Sequence, residues 1–134
     1  MVGRRSRLSL IYVFKRTIPM SLQKKFATGL GALLLIVGIW GFVAGSVLIF
    51  DVNTPHNILH VVTGVLGLVA GLTAGGAQAK TFNVIFGIVY ALVTVVGLLN
   101  IPSMVNLLNL NAADNILHLV IAVATLGVAF GSHD

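Results

Sequence analysis

The stretch Asn53-Thr-Pro-His-Asn-Ile-Leu-His60 returns later in the chain as Asn111-Ala-Ala-Asp-Asn-Ile-Leu-His118, with five of the eight positions identical. Each copy opens with an Asn, a residue that commonly caps the start of a helix. In the first copy a Pro follows at a position where a helix tolerates it. Each copy then leads into an uncharged apolar run. The pattern predicts two related helices, each of which begins at a polar turn.

The composition is typical of a membrane protein. Of the 134 residues, 57% are hydrophobic and 8% are charged, and the mean hydropathy is +1.05. An ordinary soluble domain carries about 25% charged residues, so this chain cannot cover a water-exposed surface. The sequence contains neither cysteine nor glutamate. Disulfides, thiolate metal sites and cysteine nucleophiles are therefore excluded.

Four apolar segments are long enough to cross ~30 Å of hydrocarbon at about 1.5 Å per helical residue. We predict the spans at 26–50, 55–74, 82–99 and 112–130. Because the second and fourth spans carry the repeated motif, the expected fold is all-α, a four-transmembrane-helix bundle formed by tandem duplication of a two-helix hairpin. This domain is expected at 25–134. A basic N-terminal tail or interfacial segment is expected at 1–24, with Met20 as an alternative start.

The basic residues predict the orientation. Seven of the eight lie in the first 25 positions, and the eighth is Lys80 in the loop between the second and third spans. Lys and Arg mark cytoplasmic loops, so we expect an inner-membrane protein with both termini in the cytoplasm. Expected partners are the lipid bilayer and a second copy or another membrane protein. Nucleic acid is not expected, because no basic patch is interleaved with aromatic residues.

Small residues at a spacing of four predict close packing between helices, since helices in lipid associate where their backbones can approach. Such stripes occur on three of the four predicted spans. The predicted packing glycines are Gly41, Gly45, Gly64, Gly67, Gly71 and Gly127.

The repeated motif also concentrates the polar side chains of the spans. His56 and His60 are four residues apart and share one helix face, as do Asp114 and His118. The candidate polar cluster consists of His56, Asn57, His60, Asp114, Asn115 and His118. Asn53 or Thr54, and Asn111, are expected to cap the two helices.

Three interpretations of this cluster remain open. In the first, the His and Asn side chains hydrogen-bond across helices, because lipid offers them no other partner. In the second, His56, His60, His118 and Asp114 bind zinc or another divalent ion, or two His residues bind haem. In the third, the imidazoles, which exchange protons near neutral pH, serve transport or a proton relay. We place the first interpretation foremost, and it predicts no metal, no cofactor and no catalysis.

The order of these motifs resembles a known family. Gly41-Phe42, then Val52-Asn53-x-x-His56-Asn57-Ile-Leu-His60-x-x-x-Gly64-x-x-Gly67-Leu68, then Asp114-Asn115-x-Leu117-His118 is similar to the bacterial membrane family catalogued as domain of unknown function 4383. The resemblance covers roughly Lys25 to Gly131. It implies a four-span inner-membrane protein without an established activity. The expected role is interaction between helices or proteins, with small-solute or proton-linked transport and metal or haem binding as alternatives.

Overall fold

Helices account for most of the residues that the computed structural model describes, which are 20–133. In chain order the helices are α1 (Leu22–Ala44), α2 (Thr54–Leu72), α3 (Ala79–Leu98), α4 (Pro102–Leu108) and α5 (Ala112–Gly131). Two short antiparallel strands, β1 (Ser46–Val47) and β2 (Phe50–Asp51), connect α1 to α2, and a 3-10 turn at Thr73–Gly76 follows α2. The predicted basic tail lies outside the described residues as far as residue 19, and its last three residues belong to α1.

Four of these helices are long and apolar enough to cross a membrane, namely α1, α2 with its 3-10 turn, α3 and α5. Their mean hydropathy is 1.8 to 2.1, and between 28% and 33% of each is buried inside the chain. Most of the surface of each helix is therefore apolar and faces outward, as it does in a lipid bilayer. The chain is a multi-pass membrane protein, and the predicted all-α bundle of four transmembrane helices is confirmed.

The bundle consists of two hairpins, in which α1 packs mainly on α2 and α3 packs mainly on α5. Glycine allows the first hairpin to close. A Cβ added at Gly64 would lie 2.5 Å from the backbone nitrogen of Leu35, and one added at Gly31 would lie 2.6 Å from that of Leu68. A Cβ added at Gly67 would also meet the backbone of α1, at 2.9 Å from the carbonyl oxygen of Ala27. Contact at this distance between two backbones leaves no room for a side chain.

Of three further glycines that were predicted to pack against a neighbouring helix, one does so and two do not. Gly41 faces Asn57, whereas an added Cβ at Gly45 or Gly127 would meet no atom of the described residues within 4 Å. The prediction is therefore wrong for these two. Gly45 ends α1 as a left-handed C-cap with φ of 73°, and Gly127 lies on the exposed side of α5. Spacing indicates which residues share a helix face, but not which face meets a neighbour. Gly71, the last of the predicted set, packs against Thr28 of α1.

Two connections differ from the predicted spans. The helix of the first span ends at Ala44 rather than continuing to residue 50, because Gly45 turns the chain into the β1–β2 hairpin. The predicted polar connector between the third and fourth spans contains α4, which begins with Pro102 in its first turn and buries Leu108. Both connections lie at the same end of the bundle, over the starts of α2 and α5. They form its outer cover.

An Asn caps each of these two helices. The Asn53 side chain accepts a hydrogen bond from the backbone N–H of His56 at 3.0 Å. At the start of α5, the Asn111 side chain accepts from the backbone N–H of Asp114 at 2.9 Å, and the Asp114 carboxylate accepts from the backbone N–H of Asn111 at 2.9 Å. Thr54 is the first residue of α2 and not its cap, so that part of the prediction is wrong.

The same two Asn side chains also link the two hairpins. The amide of Asn53 donates to the carbonyl oxygen of Leu107 at 2.9 Å, and that of Asn111 donates to the carbonyl oxygen of Ile49 at 3.1 Å. Leu107, the acceptor for Asn53, lies four positions before Asn111. Ile49, the acceptor for Asn111, lies four positions before Asn53. The two contacts are therefore reciprocal, and we call these side chains the asparagine arms.

We expect Asn53→Ala to lower the free energy of unfolding by about 1 to 2 kcal/mol, because it removes a helix cap and one arm at once. Thermal unfolding of the purified chain in detergent measures the change. Asn106→Ala is the matched control, since Asn106 is exposed on α4. Equal melting temperatures for the two variants would contradict the assigned role.

Buried amides connect three helices at the opposite end of the bundle. Gln23 of α1 is 3% exposed and Asn83 of α3 is fully buried. The Gln23 amide donates to the carbonyl oxygen of Val128 at 2.9 Å and to the Ser132 hydroxyl at 2.8 Å, and the Asn83 amide donates to Gln23 Oε1 at 2.7 Å. These bonds attach the end of α5 to α1 and α3. The sequence analysis did not identify either residue.

Candidate functional site

Three imidazoles meet inside the end of the bundle at which α2 and α5 begin. His56 and His60 come from the first two turns of α2, and His118 comes from the second turn of α5. One nitrogen from each ring lies within 4.8 Å of the others. The ring centroids of His56 and His60 are 4.4 Å apart, and those of His56 and His118 are 5.8 Å apart. The three side chains are buried, with exposed fractions of 2%, 9% and 3%. We call them the three-histidine cluster.

One nitrogen of each ring in this cluster lacks a protein partner. The Nδ1 atoms of His56, His60 and His118 are buried and form no hydrogen bond within the part of the chain that the structure describes. The hydrogen bonds across helices that the first interpretation expects are therefore not formed by these atoms. An unpaired polar atom in an apolar interior carries a cost of about 1 to 3 kcal/mol. The three rings thus carry buried polar atoms for which the described residues supply no partner.

The remaining members of the predicted cluster lie outside this group. Asp114 is 2% exposed, and its carboxylate takes part in the capping box of α5. Asn57 packs against Gly41 of α1, and Asn115 packs against Gly97 of α3. The Oδ1 atoms of both Asn side chains are buried without a hydrogen-bond partner among residues 20–133. The structure thus separates the six predicted residues into a converged trio and three residues that pack nearby.

A cavity of about 110 Å³ adjoins the cluster on the side of α3. Its polar lining comes from the three His residues, Thr63 and Tyr90, and the remainder is apolar. The Tyr90 ring lies 5.5 Å from that of His118. Tyr90 is not a member of the predicted polar cluster, because its position on α3 becomes informative only when the rotation of α3 against α5 is known.

A second cavity of about 340 Å³ adjoins the cluster on the side of α1. His60, Asp114 and His118 lie at its polar end, and its other walls are apolar residues of α1, the β1–β2 hairpin and α5. His60 and His118 line both cavities. The three-histidine cluster therefore lies between the smaller cavity and the larger, apolar cavity.

Buried apolar residues cover the cluster at the end of the bundle where α2 and α5 begin. Val47, Val52, Leu108 and Leu110 come from the two connections, and each is less than 9% exposed. The asparagine arms hold these connections over the starts of α2 and α5.

Comparison with protein-family models gives one finding. A model described as Domain of unknown function (DUF4383) matches residues 24–131. The match includes the two hairpins and the whole three-histidine cluster. No curated protein and no solved structure matches the chain.

Proposed function

The chain belongs to the DUF4383 family, whose description assigns no activity, and we propose that it binds a divalent transition-metal ion, with zinc as the reference, through His56, His60 and His118. The observation that carries this proposal is the convergence of three buried imidazoles whose nitrogens lie within 4.8 Å of one another. Neutral imidazole is a preferred ligand of zinc, copper and nickel. Three protein ligands with an open fourth position are typical of reactive or exchangeable zinc sites.

The spacing of the nitrogens fits an ion after small side-chain movements. In a tetrahedral site with zinc–nitrogen bonds of ~2.0 to 2.1 Å, ligand nitrogens stand about 3.4 Å apart. Rotation of the rings about their side-chain bonds closes the remaining distance. The backbone carbonyl groups of Asp51 and Leu108 lie within interaction distance of the His56 ring. Such carbonyl groups commonly orient a metal-bound imidazole through its other nitrogen.

Metal binding is favoured over the other interpretations of the cluster. Haem is less favoured, because the Lys residues of the described chain, which could pair with its propionates, stand at the ends of α1 and α3 that are remote from the cluster. Transport is less favoured, because the buried core toward the other end contains apolar residues such as Leu30, Leu34 and Phe82. We propose binding and not catalysis, since the Asp114 carboxylate is engaged in a helix cap and the Asp51 carboxylate accepts a hydrogen bond from the Asn111 amide.

We also propose that the protein lies in the bacterial inner membrane with both termini cytoplasmic. Lys24, Lys25 and Lys80 stand at the ends of α1 and α3 that are remote from the cluster, which supports a cytoplasmic position for those ends. The cluster then faces the outer leaflet. The apolar outer surface of the helices supports lipid as the principal partner and leaves room for a second copy or another membrane protein.

We infer further that the two hairpins are an internal repeat. Equivalent contacts recur in both. Asn57 packs on Gly41 in the first hairpin, as Asn115 packs on Gly97 in the second. The reciprocal asparagine arms follow the same relation. His60 and His118 occupy equivalent positions, whereas His56 corresponds to Asp114. The proposed ion is thus held by both halves, with two ligands from one and one from the other.

The test is zinc binding by the purified full-length chain in detergent. We expect about one zinc ion per chain after desalting. His60→Ala and His118→Ala should each weaken binding at least about tenfold, because a three-ligand site loses one of its bonds. Competition with a chromophoric chelator measures the affinity.

His133→Ala is the matched control, because His133 is exposed near the end of the chain. Zinc-free melting temperatures show whether each variant is folded. A folded wild-type chain that retains no zinc, copper or nickel would overturn the proposal. Equal zinc affinity in all three variants would overturn it as well.

A further inference from the structure

The tip of the β1–β2 hairpin presents two large apolar side chains. Val47 of β1 pairs with Phe50 of β2, so that Leu48 and Ile49 form a two-residue loop between the strands. Their exposed fractions are 76% and 73%. A two-residue hairpin loop that faces water is usually built from Gly, Asn or Asp. The composition of this tip is therefore unusual for a turn in water.

Leu48 also has a backbone conformation that its side chain disfavours. Its φ is 54°, in the left-handed region, whereas Ile49 has no positive φ. A hairpin loop with this pattern favours Gly at its first position, because a Cβ there crowds the neighbouring carbonyl group. The high exposure of Leu48 means that packing within the described chain offsets little of this strain. A contact outside the chain is then the remaining gain for an apolar side chain at this position.

The hairpin can enter an apolar environment because several of its polar groups have partners within the chain. The two strands bond to each other, and the carbonyl oxygen of Ile49 accepts a hydrogen bond from the Asn111 amide at 3.1 Å. Asp51 is the one charged residue between positions 45 and 53. Its carboxylate also accepts from the Asn111 amide, at 3.1 Å, and it lies at the end of β2 away from the loop. The tip itself carries no charge.

The tip continues the lipid-facing surface of α1. Leu48 lines the larger cavity together with Ile36 and Trp40, whose exposed fractions are 60% and 46%. Both of these residues belong to a helix that crosses the membrane. The turn at the opposite end of the bundle is different, because residues 74–78 include no large apolar side chain and Lys80 follows them. That composition is typical of a turn in water, and the hairpin tip does not share it.

From its exposure, its strain and its position, we propose that the β1–β2 hairpin is a membrane anchor. Leu48 and Ile49 insert among the lipid acyl chains of the leaflet at the end of the bundle where α2 and α5 begin. Because the same connection places the buried Val47 and Val52 over the three-histidine cluster, contact with lipid holds this cover against the bundle. The proposal rests on the membrane position of the four spans and does not depend on the proposed metal site.

The experiment places single nitroxide spin labels on the full-length chain in nanodiscs, since the sequence contains no cysteine that would compete for the label. The labelled variants are Leu48→Cys, Gln78→Cys before α3, and Val123→Cys, whose site is 66% exposed in the span of α5. The collision rate with oxygen, which dissolves in hydrocarbon, is divided by the rate with a polar nickel chelate, which does not. We expect this ratio to be at least about fivefold higher at Leu48→Cys than at Gln78→Cys, and closer to that at Val123→Cys. Circular dichroism shows that each labelled variant is folded.

The outcomes separate the anchor from the alternatives. Equal ratios at Leu48→Cys and Gln78→Cys would mean that the tip faces water and would overturn the anchor. Low collision rates with both reagents at Leu48→Cys would mean that protein covers the tip, and would overturn it in favour of a protein contact. Equal ratios at Val123→Cys and Gln78→Cys would place the spans outside lipid, and the anchor would fail together with the membrane position. Zinc binding is measured separately and is unaffected by these outcomes.

Discussion

Gly64→Leu is expected to separate α1 from α2 and to lower the free energy of unfolding by at least about 3 kcal/mol, the upper end of the range for overpacked cores. A Cβ at this position would lie 2.5 Å from the backbone nitrogen of Leu35 and 2.8 Å from the carbonyl oxygen of Gly31. Backbone atoms cannot rotate away as a side chain can. Relief therefore requires the whole of α1 to move, and the contacts around Gly31 and Gly67 are lost with it.

Gly127→Leu is the control, because Gly127 also lies inside a membrane helix but no described atom comes within 4 Å of an added Cβ. Unfolding by sodium dodecyl sulfate in mixed micelles, followed through helical circular dichroism, measures both variants. We expect Gly127→Leu to change the unfolding free energy by less than about 0.5 kcal/mol. If Gly64→Leu unfolded at the same detergent fraction, the close approach of α1 and α2 would be wrong.

Gln23→Ala is expected to lower the free energy of unfolding by about 2 to 3 kcal/mol, because it removes hydrogen bonds from α1 to two other helices and leaves buried groups unpaired. The Gln23 amide holds the end of α5 through Val128 and Ser132, and its Oε1 accepts from Asn83. Lipid and a buried interior offer these groups few other partners. The effect is therefore expected to exceed that of an exposed amide by a wide margin.

Gln78→Ala serves as the matched control, since Gln78 is exposed and its side chain forms no capping bond at the start of α3. The zinc content of Gln23→Ala is a second readout. Because Gln23 lies at the end of the bundle remote from the three-histidine cluster, the folded fraction of this variant should retain the zinc stoichiometry of the wild type. A Gln23→Ala chain as stable as Gln78→Ala would contradict the structural role of the buried amides.

The sequence is sufficient to predict four membrane helices and the starts of two of them. Long uncharged segments have few other stable arrangements in lipid, since each backbone group must find a partner within its own segment. Asn53 and Asn111 are recognisable as caps because the residue type and the following apolar run agree. The end of α1 is harder to predict from the sequence. Apolar residues continue past Gly45 into the β1–β2 hairpin, so hydropathy alone extends the span too far.

The site is only partly predictable for a related reason. A spacing of four places His56 and His60 on one face of α2. The rotation and height of α5 relative to α2 decide whether His118 meets them, and no local pattern encodes these two quantities. The interpretation favoured from the sequence assigned hydrogen-bond partners to the imidazoles, and the structure instead brings three of them together with unpaired Nδ1 atoms.

The structural role of Gln23 and Asn83 could not be predicted from the sequence, for a different reason. Gln23 stands beside Lys24 and Lys25 and resembles part of the basic tail, while a single Asn at position 83 scarcely changes the mean hydropathy of a long apolar span. What gives them a role is that α1, α3 and α5 converge at one end of the bundle. Isolated polar residues at the ends of apolar spans are the available signal.

The asparagine arms have a consequence for time scales as well as for stability. They hold the β1–β2 hairpin and α4 against the opposite helix starts, and these connections place the buried side chains of Leu108 and Val52 over the cluster at this end of the bundle. At the proposed metal site, a water-soluble chelator that arrives from this end must wait for this cover to open. We therefore expect the arms to set the residence time of the proposed ion, so that their loss would accelerate its exchange far more than it would change the equilibrium affinity.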